Sequence, residues 1–221
     1  MAKTPNTANQ NLPSDQDQLD KAAVCMAETD LLSCCSKDIL KFLCGVFWCA
    51  TAHPFQKGNK HYKQVCADKL LTGLRSMQND NNKNEFGTYG NLRYYNSLYH
   101  IMSPSKEEIK KNDTEEYSYM NINGTLQKCK IRIPDISIYD ENMQLAQIYD
   151  FKFKGDRIHE NQHRDYLRLV GRQKDKVNYI KEDTCKDKNG NKIGGKSKTL
   201  SQKEKKAMIE KMHAALPEFY S

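Results

Sequence analysis

Residues 133 to 156 read IPDISIYDENMQLAQIYDFKFKGD, and three of them have the types and spacing for chemistry. Asp135 follows a proline, while Asp150 and Lys152 stand two apart in a run of Ile, Tyr and Phe. On a strand, residues two apart project to one face, so Asp150 and Lys152 point together and Tyr149, Phe151 and Phe153 point the other way. If the segments flanking DENMQ pair as an antiparallel hairpin, opposed residues keep a constant index sum. A turn centred between Asn142 and Met143 then sets Asp135 across from Asp150 on the same face. Opposed carboxylates lie roughly 5 Å apart, close enough to share one divalent cation through oxygens at about 2.1 Å. Without positive charge they repel each other; Lys152 supplies one charge and Mg²⁺ or Mn²⁺ is the natural second. The two carboxylates and the backbone carbonyl of Phe151 make an oxygen-only donor set, which suits a hard cation better than zinc. Such a set can polarise a phosphodiester and acidify a bound water, with Lys152 steadying the hydroxide or the developing charge. A half-buried structural strand with its charges in water shows the same alternation.

IPD, then YDFKFKGD, then Gln162 with Tyr166 one turn later, resembles the PD-(D/E)xK nuclease superfamily, in particular its VRR-NUC branch. The likeness is close over about residues 130 to 170. It implies an α/β, restriction-endonuclease-like fold, a mixed β-sheet flanked by helices, and metal-dependent hydrolysis of DNA. It implies that Asp135, Asp150 and Lys152 are catalytic, that Gln162 faces the site to orient the lysine or the water, and that Tyr166 supports them. The acidic position here is Asp where that branch usually has Glu, one methylene shorter. A further acidic ligand is implied on the first core helix, for which Asp68 and Glu85 are the candidates. A Cys-rich helical region ahead of such a domain also resembles interbacterial nuclease toxins delivered by type VI secretion. That second likeness implies action in the cytoplasm of a recipient cell, with a cognate immunity protein and a secretion-system carrier as partners. A repair or phage nuclease stays open, as does a non-catalytic nucleic-acid-binding or protein-interaction module.

The elements that must position these residues follow from periodicity and turn chemistry. A polar tail over 1–18, a Cys-rich helical extension over 19–58 and a nuclease domain over 59–221 are the expected divisions. HYKQVCADKLLTGLRSMQ has the apolar spacing of a helix, and the aromatic stretch YGNLRYYNSLYHIM reads as strand or helix. Asn123-Gly124 marks a hairpin after YSYMNI, and a second hairpin is expected directly after it, giving one three- or four-stranded meander. ENQHRDYLRLVGRQ reads as a helix, NYIKED as a strand, and Ser201 with Glu204 as the capping box of a last helix. KDKNGNKIGGKSK between them is expected to be disordered.

The formal charge of +7 favours polyanionic partners. Beside the site, Lys154, Arg157, Arg164 and Arg168 form the basic face expected to hold a DNA backbone. His159 and His163, four apart on the same predicted helix, flank the site. The run ILKFLCGVFWCATA is too short to span a bilayer, and the polar N-terminus does not read as a signal peptide. Six of the eight cysteines fall between Cys25 and Cys66. With no export signal, reduced thiols are the expectation, and the spacing of Cys44, Cys49, His53 and His61 is too irregular to favour zinc.

Overall fold

The computed structural model describes residues 14–29, 31–32, 38–57, 60–78, 87–89, 92–103 and 117–221. It is mixed α/β. Two helices open it, α1 (Asp15–Ala27) and α2 (Ile39–Ala52), followed by a small hairpin of β1 (Phe55–Lys57) and β2 (Lys60–Tyr62), and then α3 (Lys63–Gln78). Ser14 caps α1 in a reciprocal capping box with Asp17, so the helix begins inside the stretch expected to be tail.

The aromatic stretch resolves as strand: β3 (Gly87–Tyr89), β4 (Leu92–Asn96) and β5 (His100–Met102). β6 (Tyr117–Ile122) and β7 (Thr125–Arg132) form the expected hairpin. Asn123 and Gly124 both take positive φ, 51° and 80°, the backbone that a two-residue turn between twisted strands requires. After them come β8 (Ile136–Tyr139), β9 (Leu145–Phe151), α4 (Glu160–Leu169), β10 (Val177–Ile180), α5 (Gln202–Ala215) and the short α6 (Pro217–Tyr220). The capping box of Ser201 and Glu204 starts α5 as its sequence predicts.

The single meander expected from β6 to β9 is instead divided between two sheets. One has the order β5-β7-β6; the other, β10-β9-β8-β4-β3, is antiparallel except where β10 runs parallel to β9. The division falls at Ile133 and Pro134. Proline has no N–H for a ladder, so β7 ends at Arg132 and the chain re-enters the second sheet at Ile136 beside β4.

One face of the five-stranded sheet, carrying Tyr94, Ile136, Ile138, Tyr149 and Phe151, shares a single core with α1, α2, α3 and α5. The two N-terminal helices are therefore part of the main core rather than an appendage to it. Phe153 stacks on Phe47 of α2 with ring centroids 4.9 Å apart, fixing the end of β9 against that helix. The opposite face carries Ile148, which packs with Tyr166, Val170 and Val177. His100 of the smaller sheet reaches Ser137 on that same face, with 2.7 Å between Nε2 and Oγ.

The expectation of reduced thiols is overturned: Cys25 is bonded to Cys49 and Cys44 to Cys185, while Cys66 and Cys129 are free and buried. Local spacing hid the second bond because its partners are 141 residues apart and meet only when the loop after β10 folds onto α2. That loop is also held, contrary to the expected disorder. Asp187 accepts the amides of Asn189 and Asn191, the Trp48 indole donates to the Ile193 carbonyl, and Gly194 lies against α2. A Cβ on Gly194 would stand 2.3 Å from the Lys41 carbonyl, and its φ of +68° is one that side chains rarely adopt. Among the described residues no helix is long and apolar enough to cross a membrane.

Candidate functional site

Ile136 pairs with Tyr149 and Ser137 with Ile148, the constant sum that sets Asp135 opposite Asp150. The bulge lies farther along, between Ile138 and Tyr139, so it leaves the end near the aspartates in the expected register. Asp150 is buried, at 1% exposure, on the face that α4 covers. Its Oδ1 accepts from the Tyr166 hydroxyl at 3.1 Å, and its Oδ2 is ion-paired with the Lys152 ammonium. Gln162 donates to the Tyr166 oxygen at 2.9 Å. Gln162 thus reaches the site through Tyr166, one turn along α4, rather than by touching Lys152.

Asp135 is only partly buried. Its Oδ2 accepts the Phe151 backbone amide at 2.6 Å and its Oδ1 accepts from Gln64 at 2.8 Å. Burial, with the adjacent charge of Asp150, raises its carboxyl to about 7, against the opposing pull of the Phe151 amide, Gln64 and Lys152. Burial and the same aspartate push the Tyr166 hydroxyl upward, which keeps it a donor. Tyr179, the β10 neighbour of Asp150, is pushed up to about 12 for the same reasons. Its hydroxyl meets His163 Nδ1 at 2.9 Å, and Lys152 Nζ lies 5.8 Å from its ring centroid.

Gln64 was not singled out in the sequence. It stands in the first turn of α3, four residues before Asp68, and its position in a predicted helix beside Lys63 carried no charge or motif to mark it. Asp68 faces the same direction one turn on, but its Oδ1 accepts from Asn96 at 2.8 Å and from the Ser97 hydroxyl at 2.6 Å. Ser97 in turn donates its amide to the Asp135 carbonyl at 3.0 Å. Asp68 therefore braces the strand end that holds Asp135. Glu85 lies outside the described residues. Among those described, no three His, Cys, Asp or Glu side chains come together as a metal-holding group.

The basic face divides. Lys154 and Arg157 are exposed beyond β9, and Arg164 bonds Asn161 within its helix. Arg168 is turned away from Asp150, donating to the Ser103 carbonyl at 2.7 Å and lying 3.6 Å from Asp165. Asp165 is fully buried and also meets Lys130 at 2.8 Å and Arg132 at 2.7 Å. That ionic cluster joins α4 to β7. Its members are spread over four separate positions on two elements, so no local pattern marked it. Comparison of the chain with family models, with curated proteins and with solved structures gives no match.

Proposed function

We propose that this chain hydrolyses phosphodiester bonds of DNA with a divalent cation, using the carboxylates at the ends of β8 and β9. The observation that carries the reading is the meeting of Asp135, Asp150 and Lys152 at adjacent strand ends, with Gln162 and Tyr166 bonded in behind them. A mixed α/β chain with a mixed sheet and helices on both of its faces supports the reading at the level of fold class.

The residues fit a hard cation. Two neighbouring carboxylates share one ammonium, which leaves a negative balance, and their donor atoms are all oxygen. Each of the four oxygens meets one protein donor or cation and keeps a second lone pair, so an entering ion competes with those groups for position. The Phe151 amide is backbone and Tyr166 is packed, whereas Gln64 and Lys152 stand on flexible stems. When bound, Mg²⁺ or Mn²⁺ would supply Lewis-acid polarisation of the phosphoryl group and a water of lowered pKa. Asp135 and Asp150 would hold it, Lys152 would move from Asp150 toward the developing negative charge, and Tyr166 would keep Asp150 oriented by its hydrogen bond.

Incubation of plasmid DNA with the protein tests the reading. Cleavage is expected with Mg²⁺ or Mn²⁺ and not with EDTA, and Asp150→Asn should lower it by about a thousandfold or more, in line with the loss of a main electrostatic contributor. An intact plasmid under all divalent conditions refutes it, and a gel shift without cleavage favours the non-catalytic binding module. The biological context we infer is a type VI effector with an immunity protein and a secretion carrier as partners, acting in a recipient's cytoplasm. Cytoplasmic expression in a bacterium should then arrest growth in a manner that Asp150→Asn abolishes. The two disulfides favour passage through an oxidising compartment before that step.

A further inference from the structure

Beyond β9 the chain leaves the sheet through Lys152, Phe153 and Lys154 and lines a cleft of about 780 Å³. α2 contributes Trp48 to the lining, and the turn after β10 contributes Lys181. The Cys44–Cys185 bond ties α2, one turn before Trp48, to the segment just beyond that turn. These two parts of the lining are thereby cross-linked, which fixes the cleft before anything enters it.

The charge around the cleft is unequal. Lys63, Lys152, Lys154, Arg157 and Lys181 line it against Asp156, Glu182 and Asp183. Of these, Lys152 is paired with Asp150 and Glu182 with Lys186, at 2.6 Å, outside the cleft, which leaves Lys63, Lys154, Arg157 and Lys181 against Asp156 and Asp183. The apolar part of the lining is aromatic and aliphatic, with the partly buried Trp48, whose ring has the Lys192 ammonium 4.6 Å from its centroid, and with Ile158 at 47% exposure. A duplex presents phosphates and sugars outward and keeps its base faces stacked inside, so it would use the cations and leave the indole idle. An unpaired strand offers both a phosphate backbone and free base faces, the combination that a basic groove with an aromatic surface binds.

We infer that this cleft takes unpaired nucleotides of a single-stranded polynucleotide, with the backbone along Lys154, Arg157 and Lys181 and a base against Trp48. On the nuclease reading, on which this step rests, the adjoining phosphate is delivered to Lys152. The cleft selects substrate by strandedness, and frayed ends, flaps and loops are its targets.

Trp48 is the only tryptophan in the chain, so fluorescence excited at the red edge, where the twelve tyrosines do not absorb, reports on this cleft. The full-length protein in EDTA is titrated with oligothymidylate, with oligouridylate and with a blunt DNA hairpin duplex at equal nucleotide concentration. At least one single strand is expected to quench the indole, and the tighter of the two identifies the sugar. The duplex is expected to leave the emission unchanged. Joint Lys154→Glu and Arg157→Glu replacement, at two exposed positions, should weaken the quenching titration about tenfold or more. Its folding is checked by circular dichroism. Equal quenching by the duplex, no quenching by either single strand, or a titration indifferent to the double charge reversal overturns the proposal. Quenching that persists in a protein that cleaves nothing with Mg²⁺ or Mn²⁺ upholds the cleft and sinks the nuclease reading. Cleavage without quenching does the reverse.

Discussion

Asp150 and Asp165 are both buried aspartates in contact with cations, one on β9 and one on α4, yet their surroundings differ in sign. Asp165 has three cations, Lys130, Arg132 and Arg168, within 3.6 Å. Asp150 has one, Lys152, and faces a second carboxylate across the strand pair. Three cations from two elements converge on this one carboxylate, so Asp165 is a joint between α4 and the smaller sheet. Two carboxylates beside one ammonium are short of positive charge, the balance that the proposed cation site calls for. Burial alone does not separate the two roles. The local charge balance does.

The largest effect expected from this contrast is on stability. Asp165→Asn removes the buried carboxylate on which Lys130, Arg132 and Arg168 converge and should lower unfolding free energy by about 3–5 kcal/mol, measured by urea denaturation. Asp150→Asn removes one of two mutually repelling charges and should change stability by about 1 kcal/mol or less, in either direction. Similar losses for both variants would collapse the distinction. The next effect separates the sites by ligand. Saturating Mg²⁺ at pH 8 should raise the melting temperature of wild type, by the equivalent of about 2.7 kcal/mol at a hundred times Kd, and should leave Asp150→Asn unmoved.

A smaller effect concerns pH. The folded Asp135 carboxyl titrates at about 7 whereas an unfolded aspartate titrates at about 3.9, so the folded state holds its proton longer. Between those values the unfolded state binds fewer protons, and stability must fall as pH rises. With screening at this partly exposed group, the fall should be on the order of 1–2 kcal/mol from pH 4 to pH 7. Asp135→Asn should flatten that part of the profile. A wild-type profile no steeper than that of the variant would mean that Asp135 feels no net negative neighbour.

How much of this was legible in the sequence differs between the two aspartates. The hairpin that opposes Asp135 to Asp150 is local: its register is set by a five-residue connection and by alternation on either side, and both can be counted. Gln162 and Tyr166 are one helical turn apart, so their joint approach to one side of β9 was also countable. The Asp165 cluster depends on β7 leaving the expected meander at Pro134 and folding back over α4, and no period of two or 3.6 encodes that crossing. For the same reason the Cys44–Cys185 bond was missed, since it depends on where a long loop returns. Gln64 is a further case. It bonds Asp135 from α3, an element 71 positions earlier in the chain, and only the packing of α3 on the strand ends brings it there.

Tyr166 offers the finest test of the contrast because it touches only the cation-poor aspartate. Its hydroxyl is the one neutral donor to Asp150, and Gln162 bonds to the same oxygen from behind. Tyr166→Phe keeps the ring that packs on Ile148, Val170 and Val177, so no cavity forms and the core is unaffected. What is lost is a hydrogen bond to a carboxylate that still has Lys152, and the stability change should be about 1 kcal/mol. The functional change should exceed it. Without the neutral donor the Asp150 carboxylate turns more freely toward Lys152, and an entering ion competes with that ammonium for it. Metal titration of cleavage should then show a higher Mg²⁺ requirement in Tyr166→Phe, with the rate recovering toward wild type at saturation. A variant with an unchanged metal requirement and a uniformly lower rate would place the hydroxyl in the chemical step instead, and Gln162 with it.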